Sequence, residues 1–306
     1  MLKLVECVPN FSEGRNKEVI EKIIDEVRKH RDVKLLDYSS DPDHNRTDVT
    51  FVGEPEAVKK AALDLAVKCV ELIDMNKHKG EHPRMGAIDV VPFIPISGVT
   101  MEDCVKLAEE LAEEFSKKTN VPCYLYEEAA RREDRRNLAN VRRGEFEGLK
   151  KEIGKNPDKV PDYGPNRIHP TAGATAVGAR FFLIAFNVNL GTDNIDIARK
   201  IAKAVRFSSG GYRYVKAMGF EIKERGIVQV SMNLVNYRGT PVFRVFETIK
   251  NEAERYGVPV IGSEIIGLIP LEAIVQVADH YLRLEKFDVD QVLEKKILDT
   301  ISESEK

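Results

Sequence analysis

The sequence predicts an α/β (α+β) protein made of two ferredoxin-like βαββαβ subdomains with a cleft or tunnel between them. Its 306 residues suggest about two compact units, and a hydrophobic content of 42% is enough for a sizeable core. Strand-like and helix-like segments follow one another in the order β-α-β-β-α-β, and this order occurs twice along the chain. We place the boundary between an N-terminal subdomain, residues 1–180, and a C-terminal subdomain, residues 181–306.

The first occurrence of this order lies in the N-terminal third of the chain. β-Branched runs that end at turn residues predict strands at 3–8, 33–38, 47–52 and 88–96. Apolar residues at helical spacing predict helices at 16–30 and 55–72. Pro55 opens the second helix in its first turn, where proline is favoured.

The rest of the chain contains connecting elements and the second occurrence. The connection is predicted as a charged helix at 101–118, a strand at 121–126, an Arg-rich helical stretch at 127–143 and an irregular segment at 154–170. The second unit is predicted as strands at 181–190, 214–221, 227–235 and 258–261 and helices at 195–205 and 241–256. Two C-terminal helices follow, at 271–284 and 289–301.

Composition excludes several classes of function. Lys and Arg total 47 against 50 Asp and Glu, and this net charge of -3 argues against a protein that mainly binds duplex nucleic acid, although a local basic patch is compatible with it. No apolar run is long enough to cross a bilayer and no secretory signal is evident, so we expect no membrane partner and a cytoplasmic location. The four cysteines never form a C-x-x-C pair, which argues against a disulfide framework or structural zinc.

The most informative segment is the polar connection at 78–89, which contains two histidines, an arginine and two acidic residues between a helix and a strand. His82 is the candidate acid–base residue, because imidazole titrates near neutrality. A solvated polar loop is the plainer interpretation of any lone loop histidine. A zinc pair of His78 and His82 is disfavoured, since Gly80 and Pro83 interrupt the helix that such a pair needs. We therefore expect no metal.

Three further segments are candidates for binding. In the turn at 41–47, Asn45 or Arg46 is placed to hold a carboxylate or an amide, although Asp and Asn are also ordinary turn formers. The Gly-rich segment at 164–180 is either a hinge or a set of backbone donors that approach a flat heterocycle. Polar residues alternate along two strands of the second unit and form either a solvated face or the lining of the cleft: Asn187, Asn189, Gln229, Ser231 and Asn233.

The chain resembles the glutamate formimidoyltransferase family, which includes the formiminotransferase half of formiminotransferase–cyclodeaminase. The resemblance spans almost the whole sequence. It is carried by VECVPNFSEG (5–14), NRT (45–47), TFVG (50–53), HKGEHPRMGAIDVVPFIP (78–95), VPCYLYEEAARR (121–132), GATAVGARFFLIAFNVNL (173–190), VQVSMNLVN (228–236) and VPVIGSEIIGLIPLEA (258–273).

The resemblance implies a transfer of the formimino group between N-formimino-L-glutamate and the co-substrate tetrahydrofolate, which gives 5-formiminotetrahydrofolate and L-glutamate in histidine degradation. It implies a homodimer and assigns the catalytic role to His82. It also implies a folate-binding segment, which consists of Gly164, Pro165, Asn166, Arg167, Ile168, His169, Pro170, Thr171, Ala172 and Gly173. No cyclodeaminase domain follows in this sequence, so we expect a monofunctional enzyme.

The chemistry adds candidate substrate contacts, namely Asn10, Asn45, Arg46, Arg84, Asp89, Asn187, Asn189, Gln229 and Asn233. One imidazole at His82 can take the folate N5 proton and then protonate the departing nitrogen. Asp43, Glu81 and Asp89 are unranked candidates for a carboxylate that favours the cationic amidinium of the substrate. Transfer of a formyl group, glycine as the carrier, and a non-catalytic folate-binding protein remain alternatives.

Overall fold

A computed structural model describes residues 2–80 and 82–304 of the chain. The chain divides into two compact units, residues 1–181 and 182–306. Each unit combines a β-sheet with helices, so the predicted α/β class is confirmed.

Unit 1 contains one mixed sheet and its helices. Its strands are β1 (Leu4–Cys7), β2 (Asn10–Phe11), β3 (Val33–Asp41), β4 (Arg46–Gly53), β5 (Ile88–Ser97), β6 (Cys123–Glu127) and β7 (Thr175–Ala179). Its helices are α1 (Lys17–Arg28), α2 (Pro55–Leu72), α3 (Met101–Thr119), α4 (Leu138–Val141) and α5 (Glu145–Glu152). Strand β4 pairs with β3 and β1, β1 pairs with β5, and these pairings are antiparallel. Parallel pairing then adds β7 and β6 to the sheet.

The apolar faces of α1, α2 and α3 and one side of the sheet form the core of unit 1. Asn16 begins α1 by accepting hydrogen bonds from the N–H groups of Glu18 and Val19. Pro55 occupies the first turn of α2, as predicted. Because side chains alternate along a strand, the residues next to the core positions point to the other side of the sheet. Strand β5 has Ile88 in the core and the fully buried Asp89 beside it in sequence.

In unit 1 one local prediction is wrong and one strand was not predicted. The stretch 127–143 is not one helix: it contains a short 3-10 turn at Glu133–Arg136 and the four-residue α4, and Gly144, at φ 87°, separates α4 from α5. Asn137 is extended and caps α4 through the Ala139 N–H, which starts a new helix where a single one was expected. The segment that was interpreted as a binding loop or hinge ends in the buried strand β7, because its small side chains allow Gly178 to pack directly against Tyr126.

Unit 2 has the predicted element order β-α-β-β-α-β. It contains β8 (Ile184–Leu190), α6 (Ile195–Val205), β9 (Val215–Ile222), β10 (Ile227–Leu234), α7 (Val242–Arg255) and β11 (Val260–Ile266), followed by α8 (Leu271–Leu282) and α9 (Leu293–Ser304). The strands form an antiparallel sheet in the order β11-β8-β10-β9, so β10 lies between the two strands that α6 connects. This is a split βαβ arrangement, with α6 and α7 contributing to the core.

Two expectations from composition can be compared with the fold. All four cysteines, Cys7, Cys69, Cys104 and Cys123, are buried free thiols. Across residues 2–80 and 82–304, none of the helices combines the length and the apolarity needed to cross a membrane.

Candidate active site

The loop at 78–89 is held closely against neighbouring strands. Ser12 Oγ donates to the Gly86 carbonyl at 2.8 Å, and the Ala174 N–H donates to the Met85 carbonyl at 3.0 Å. A Cβ atom at Gly86 would lie 2.1 Å from the Ala174 carbonyl oxygen, so only glycine allows this approach. These contacts fix Met85 and Gly86, where the loop leads into β5.

Asp89 is the buried charge at the centre of this region. Its Oδ2 accepts hydrogen bonds from Arg46 Nη1 at 2.8 Å and from Arg142 Nη2 at 2.5 Å, and its Oδ1 accepts the Met85 N–H at 2.9 Å. Burial alone would raise the pKa of Asp89, but Arg142, Arg46 and the Met85 N–H outweigh it and lower that pKa to about 2. Asp89 is thus a carboxylate at neutral pH, positioned between two guanidinium groups.

Asn10 completes the cluster around Arg46. Its Oδ1 accepts from Arg46 Nε at 3.1 Å and from Nη2 at 2.7 Å. The Arg46 side chain is only 9% exposed and is already bonded to Asn10 and Asp89. A substrate carboxylate at Arg46 would therefore have to share or displace these partners, and the substrate-binding roles of Asn10, Arg46 and Asp89 remain predictions.

His82 is half-buried beside this charged cluster. Its Nδ1 contacts the Pro83 carbonyl at 2.6 Å, and because a carbonyl only accepts, Nδ1 carries the proton and Nε2 is the other, unprotonated nitrogen. Burial is the main cause that lowers the pKa of the imidazole to about 3, and the charges of Arg46 and Arg142 act in the same direction. Asp89 opposes them. His82 is therefore uncharged at neutral pH and has a lone pair available to accept a proton.

The three carboxylates considered as partners of His82 differ in position. The charge of Asp89 acts on the His82 ring. Asp43 lies on the exposed turn between β3 and β4. Glu81 lies outside the described residues. The observed electrostatics therefore favour Asp89 over Asp43.

Arg84 is paired within its own unit. Its guanidinium binds Glu145 at 2.8 Å and Glu147 at 2.7 Å, and its Nε donates to His78 Nδ1 at 3.3 Å. His78 Nε2 contacts the Asn45 carbonyl at 2.8 Å. These contacts attach α5 and the β3–β4 turn to the loop, so the carboxylate-binding role expected for Arg84 would require competition with two glutamates.

Asn45 has a clear structural function. It adopts φ 49°, its Oδ1 accepts the Gly14 N–H at 2.9 Å, and its Nδ2 donates to the Lys79 carbonyl at 3.0 Å. The side chain thus ties three loops together. Asparagine tolerates the left-handed backbone conformation better than most residues. Contact of Asn45 with a substrate stays a prediction.

The predicted folate segment, 164–173, ends beside the same loop. Gly173, at φ 75°, packs closely on the Met85 carbonyl. The Ala87 N–H donates a hydrogen bond to the Ala172 carbonyl at 2.8 Å. His169 Nδ1 accepts the Ala172 N–H at 2.9 Å, which stabilises the turn. Arg167 is exposed, and within the described chain no ion pair or hydrogen bond engages its side chain.

The alternating amides of unit 2 lie on one side of its sheet. Asn189 is opposite Gln229, and Gln229 Nε2 donates to Asn189 Oδ1 at 2.9 Å. Asn189 Nδ2 donates to Glu264 Oε1 at 3.2 Å. Asn187 is only partly buried and Asn233 is exposed. The shared face was predicted, but Glu264 as a third member was not, because β11 extends beyond its predicted end.

Two other groups were missed by the sequence analysis. Arg142 lies in a run of six arginines between 131 and 143, and nothing in the spacing distinguishes it from the others. His44 lies in a turn where Asp, Pro and Asn suggest only a turn, yet its ring lies 6.1 Å from that of His82. The sequence does not show which distant segments lie beside the 78–89 loop, so neither residue could be selected. In residues 2–80 and 82–304, no group of three His, Cys, Asp or Glu side chains has the arrangement of a metal site.

Unit 1 thus has an uncharged imidazole beside a buried Arg–Asp–Arg cluster, an arrangement that is suited to acid–base chemistry. The family model described as "Formiminotransferase domain, N-terminal subdomain" matches residues 4–180, and that described as "Formiminotransferase domain" matches residues 185–303. The chain belongs to the formiminotransferase family, and the resemblance inferred from its motifs is confirmed.

Curated relatives support this membership along the whole chain. The glutamate formimidoyltransferase of Streptococcus pyogenes serotype M1 is 53% identical over 97% of this chain and 100% of its own length. That of Thermoplasma acidophilum is 47% identical over 97% of this chain and 98% of its own length. The formimidoyltransferase-cyclodeaminase of Gallus gallus is 46% identical over 94% of this chain, which corresponds to 54% of that longer protein.

Proposed function

We propose that this protein is a glutamate formimidoyltransferase, which transfers the formimino group of N-formimino-L-glutamate to tetrahydrofolate. The products are 5-formiminotetrahydrofolate and L-glutamate. The observation that carries the proposal is the end-to-end match with the two relatives that bear this name, at 53% and 47% identity. The site around His82 supplies the acid–base chemistry that this reaction needs.

The reaction replaces one nitrogen by another on a single carbon. N5 of tetrahydrofolate attacks the formimino carbon and forms the new C–N bond, which gives a tetrahedral carbon that bears three nitrogens. A base then removes the N5 proton, and an acid protonates the glutamate nitrogen. The old C–N bond breaks with its electron pair on glutamate. In each turnover N5 loses one proton and the glutamate nitrogen gains one.

His82 is the base in this proposal. Burial and then the charges of Arg46 and Arg142 disfavour the imidazolium form, so the ring is uncharged when the substrates arrive and its Nε2 lone pair is available. Asp89 fixes both guanidinium groups at 2.8 and 2.5 Å and thereby keeps this charge arrangement constant. A base does not need a high pKa here, because the N5 ammonium of the tetrahedral intermediate is itself acidic.

Residues 164–173 are proposed to bind tetrahydrofolate. The exposed Arg167 is suited to a carboxylate of its glutamate tail, since a guanidinium pairs with a carboxylate through two hydrogen bonds. The amides Asn187, Asn189, Gln229 and Asn233 are also proposed to contact substrate. A homodimer and a cytoplasmic location are also parts of the proposal.

A donor comparison tests the proposed function. Purified protein is incubated with tetrahydrofolate and, separately, with N-formimino-L-glutamate, N-formiminoglycine or N-formylglutamate, while the folate product is followed by absorbance. We expect product from N-formimino-L-glutamate, with kcat/KM at least tenfold above that of the other donors. Tight folate binding without product from any donor would refute the assignment and leave a folate-binding protein.

A further inference from the structure

Asp41 and His44 form a hydrogen-bonded pair at the turn between β3 and β4. Asp41 Oδ1 accepts the N–H groups of Asp43 at 2.8 Å and His44 at 3.0 Å, and its Oδ2 contacts His44 Nδ1 at 2.6 Å. Burial raises the pKa of Asp41, but the hydrogen bonds from His44 and Asp43 outweigh it and leave that pKa below its usual value. Asp41 is therefore an acceptor at neutral pH, so the His44 proton that points to it is on Nδ1.

The two imidazole rings are adjacent, in an edge-to-face arrangement. The ring centroids of His44 and His82 are 6.1 Å apart, with the planes at 72°. Each ring is anchored through Nδ1, His44 to the Asp41 carboxylate and His82 to the Pro83 carbonyl. Within residues 2–80 and 82–304, no hydrogen bond from protein engages either Nε2. Two Nε2 atoms are thus available on adjacent rings.

Different charged groups lie near the two rings. His82 is influenced by Arg46, Arg142 and Asp89. His44 is bonded to Asp41 and follows Asp43 in the same turn.

The other elements against this turn contribute mainly backbone. The guanidinium of Arg15 reaches it through a hydrogen bond from Nε to the Pro42 carbonyl at 2.7 Å. From the facing loop, Gly80 packs on the His44 carbonyl and the Lys79 carbonyl accepts from Asn45. The described titratable residues of these segments include Glu13, Arg15, His78 and Lys79, and the charge of Asp41 also acts on Asp48 of β4.

From this geometry we infer that His44, oriented by Asp41, is a second proton-transfer residue of the same active site. The inference rests on the proposed formimino transfer. The His82 imidazole takes the proton from N5, and the His44 imidazolium gives a proton to the glutamate nitrogen as the old C–N bond breaks. The cycle ends with His82 protonated and His44 neutral, and exchange with water restores both. Two rings then serve two reacting nitrogens, and neither has to move between them.

The pair is not needed to hold the turn. The backbone of the turn is fixed by Asp41 Oδ1, which accepts two N–H groups without involving the His44 ring. The His44 side chain is 42% exposed, so its removal leaves no cavity in a core. A His44→Asn variant is therefore expected to fold, and its melting temperature checks this.

The test compares wild type, His44→Asn, His44→Ala and the control His30→Asn with N-formimino-L-glutamate and tetrahydrofolate. His30 is matched because it is also paired with an aspartate, Asp64 at 3.1 Å, and has no part in the site. We expect kcat to fall by about 100-fold or more in both His44 variants, with KM for tetrahydrofolate within threefold and with wild-type turnover in His30→Asn. Added imidazole should restore part of the turnover of His44→Ala.

The pH profile supplies a readout that a purely structural role would not change. The pH dependence of kcat should differ between wild type and His44→Asn, because the variant lacks the imidazole that delivers the proton to the glutamate nitrogen. Asp41→Asn, a change in the positioning residue, should lower kcat while KM for tetrahydrofolate stays within threefold of wild type. Turnover of His44→Asn within threefold of wild type, or a change confined to KM, would overturn the inference. An inactive wild type would instead refute the proposed function, and this inference with it.

Discussion

Asp89→Asn is the substitution with the largest effect on stability predicted from this structure. It is nearly isosteric, but it removes the carboxylate that pairs with both Arg46 and Arg142. Asp89 is fully buried, and the side chains of Arg46 and Arg142 are 9% and 14% exposed. Two largely buried guanidinium groups would then lose the carboxylate to which both are bonded.

Two estimates give the loss of unfolding free energy in Asp89→Asn. Removing one partner of a buried ion pair costs about 3–5 kcal/mol, because the other charge stays desolvated. The fall in the pKa of Asp89 from 3.8 to about 2 corresponds to roughly 2.5 kcal/mol, since one pKa unit equals about 1.4 kcal/mol. The sign is that of a lowered pKa: this stabilisation is present above pH 3.8 and is lost as the pH falls towards 2. We expect a loss of about 3 kcal/mol at pH 7.

Urea unfolding at pH 7 and pH 3 measures this prediction. The control is Asp25→Asn, which removes the exposed partner of Arg28 and should cost less than about 1 kcal/mol. Asp89→Asn should also lower kcat, because the arginines that surround His82 lose their fixed position. A free energy of unfolding within 0.5 kcal/mol of wild type, by the uncertainty of such measurements, would refute the assigned role of Asp89.

Two further changes follow from the same structure. Arg142→Gln should raise the pKa of His82 above its value of about 3, because a positive charge is removed, and an NMR titration of the ring would detect it; an unchanged or lower pKa would contradict the assigned field. Gly164→Ala should destabilise the protein by more than about 1 kcal/mol, because Gly164 has φ 88° and an added Cβ would lie 2.0 Å from Ser116 Oγ. The matched change Gly148→Ala, in α5 with open space around it, should be neutral or stabilising by up to about 1 kcal/mol in thermal unfolding; equal effects at the two glycines would show that the packing of Gly164 is not the cause.

Much of the fold was predictable from periodicity. Helix α6 was predicted with its observed bounds, 195–205, because its apolar stripe is regular and Asn194 caps it. Strand β7 was not, because Thr175–Ala179 has small residues and a glycine where a strand normally has large β-branched ones. Its burial depends on parallel neighbours on both sides, β5 and β6, and such long-range pairing leaves no local pattern.

The candidate site was predictable in part. His82 could be selected because a dense polar loop surrounds it, and the motif resemblance points to the same residue. Arg142 and His44 could not, since they reach the site from segments 60 residues later and 38 residues earlier in the chain. The sequence also does not show that Arg46 and Arg84 already have partners within the protein. In the structure each guanidinium is bonded to carboxylates, with which a substrate carboxylate would have to compete.

The most direct measurement is the turnover number of His82→Gln with N-formimino-L-glutamate and tetrahydrofolate, together with its dissociation constant for tetrahydrofolate. If His82 transfers the proton, kcat falls by about two to four orders of magnitude while the dissociation constant stays within threefold of wild type. A variant that turns over at nearly the wild-type rate would show that a different group carries the proton.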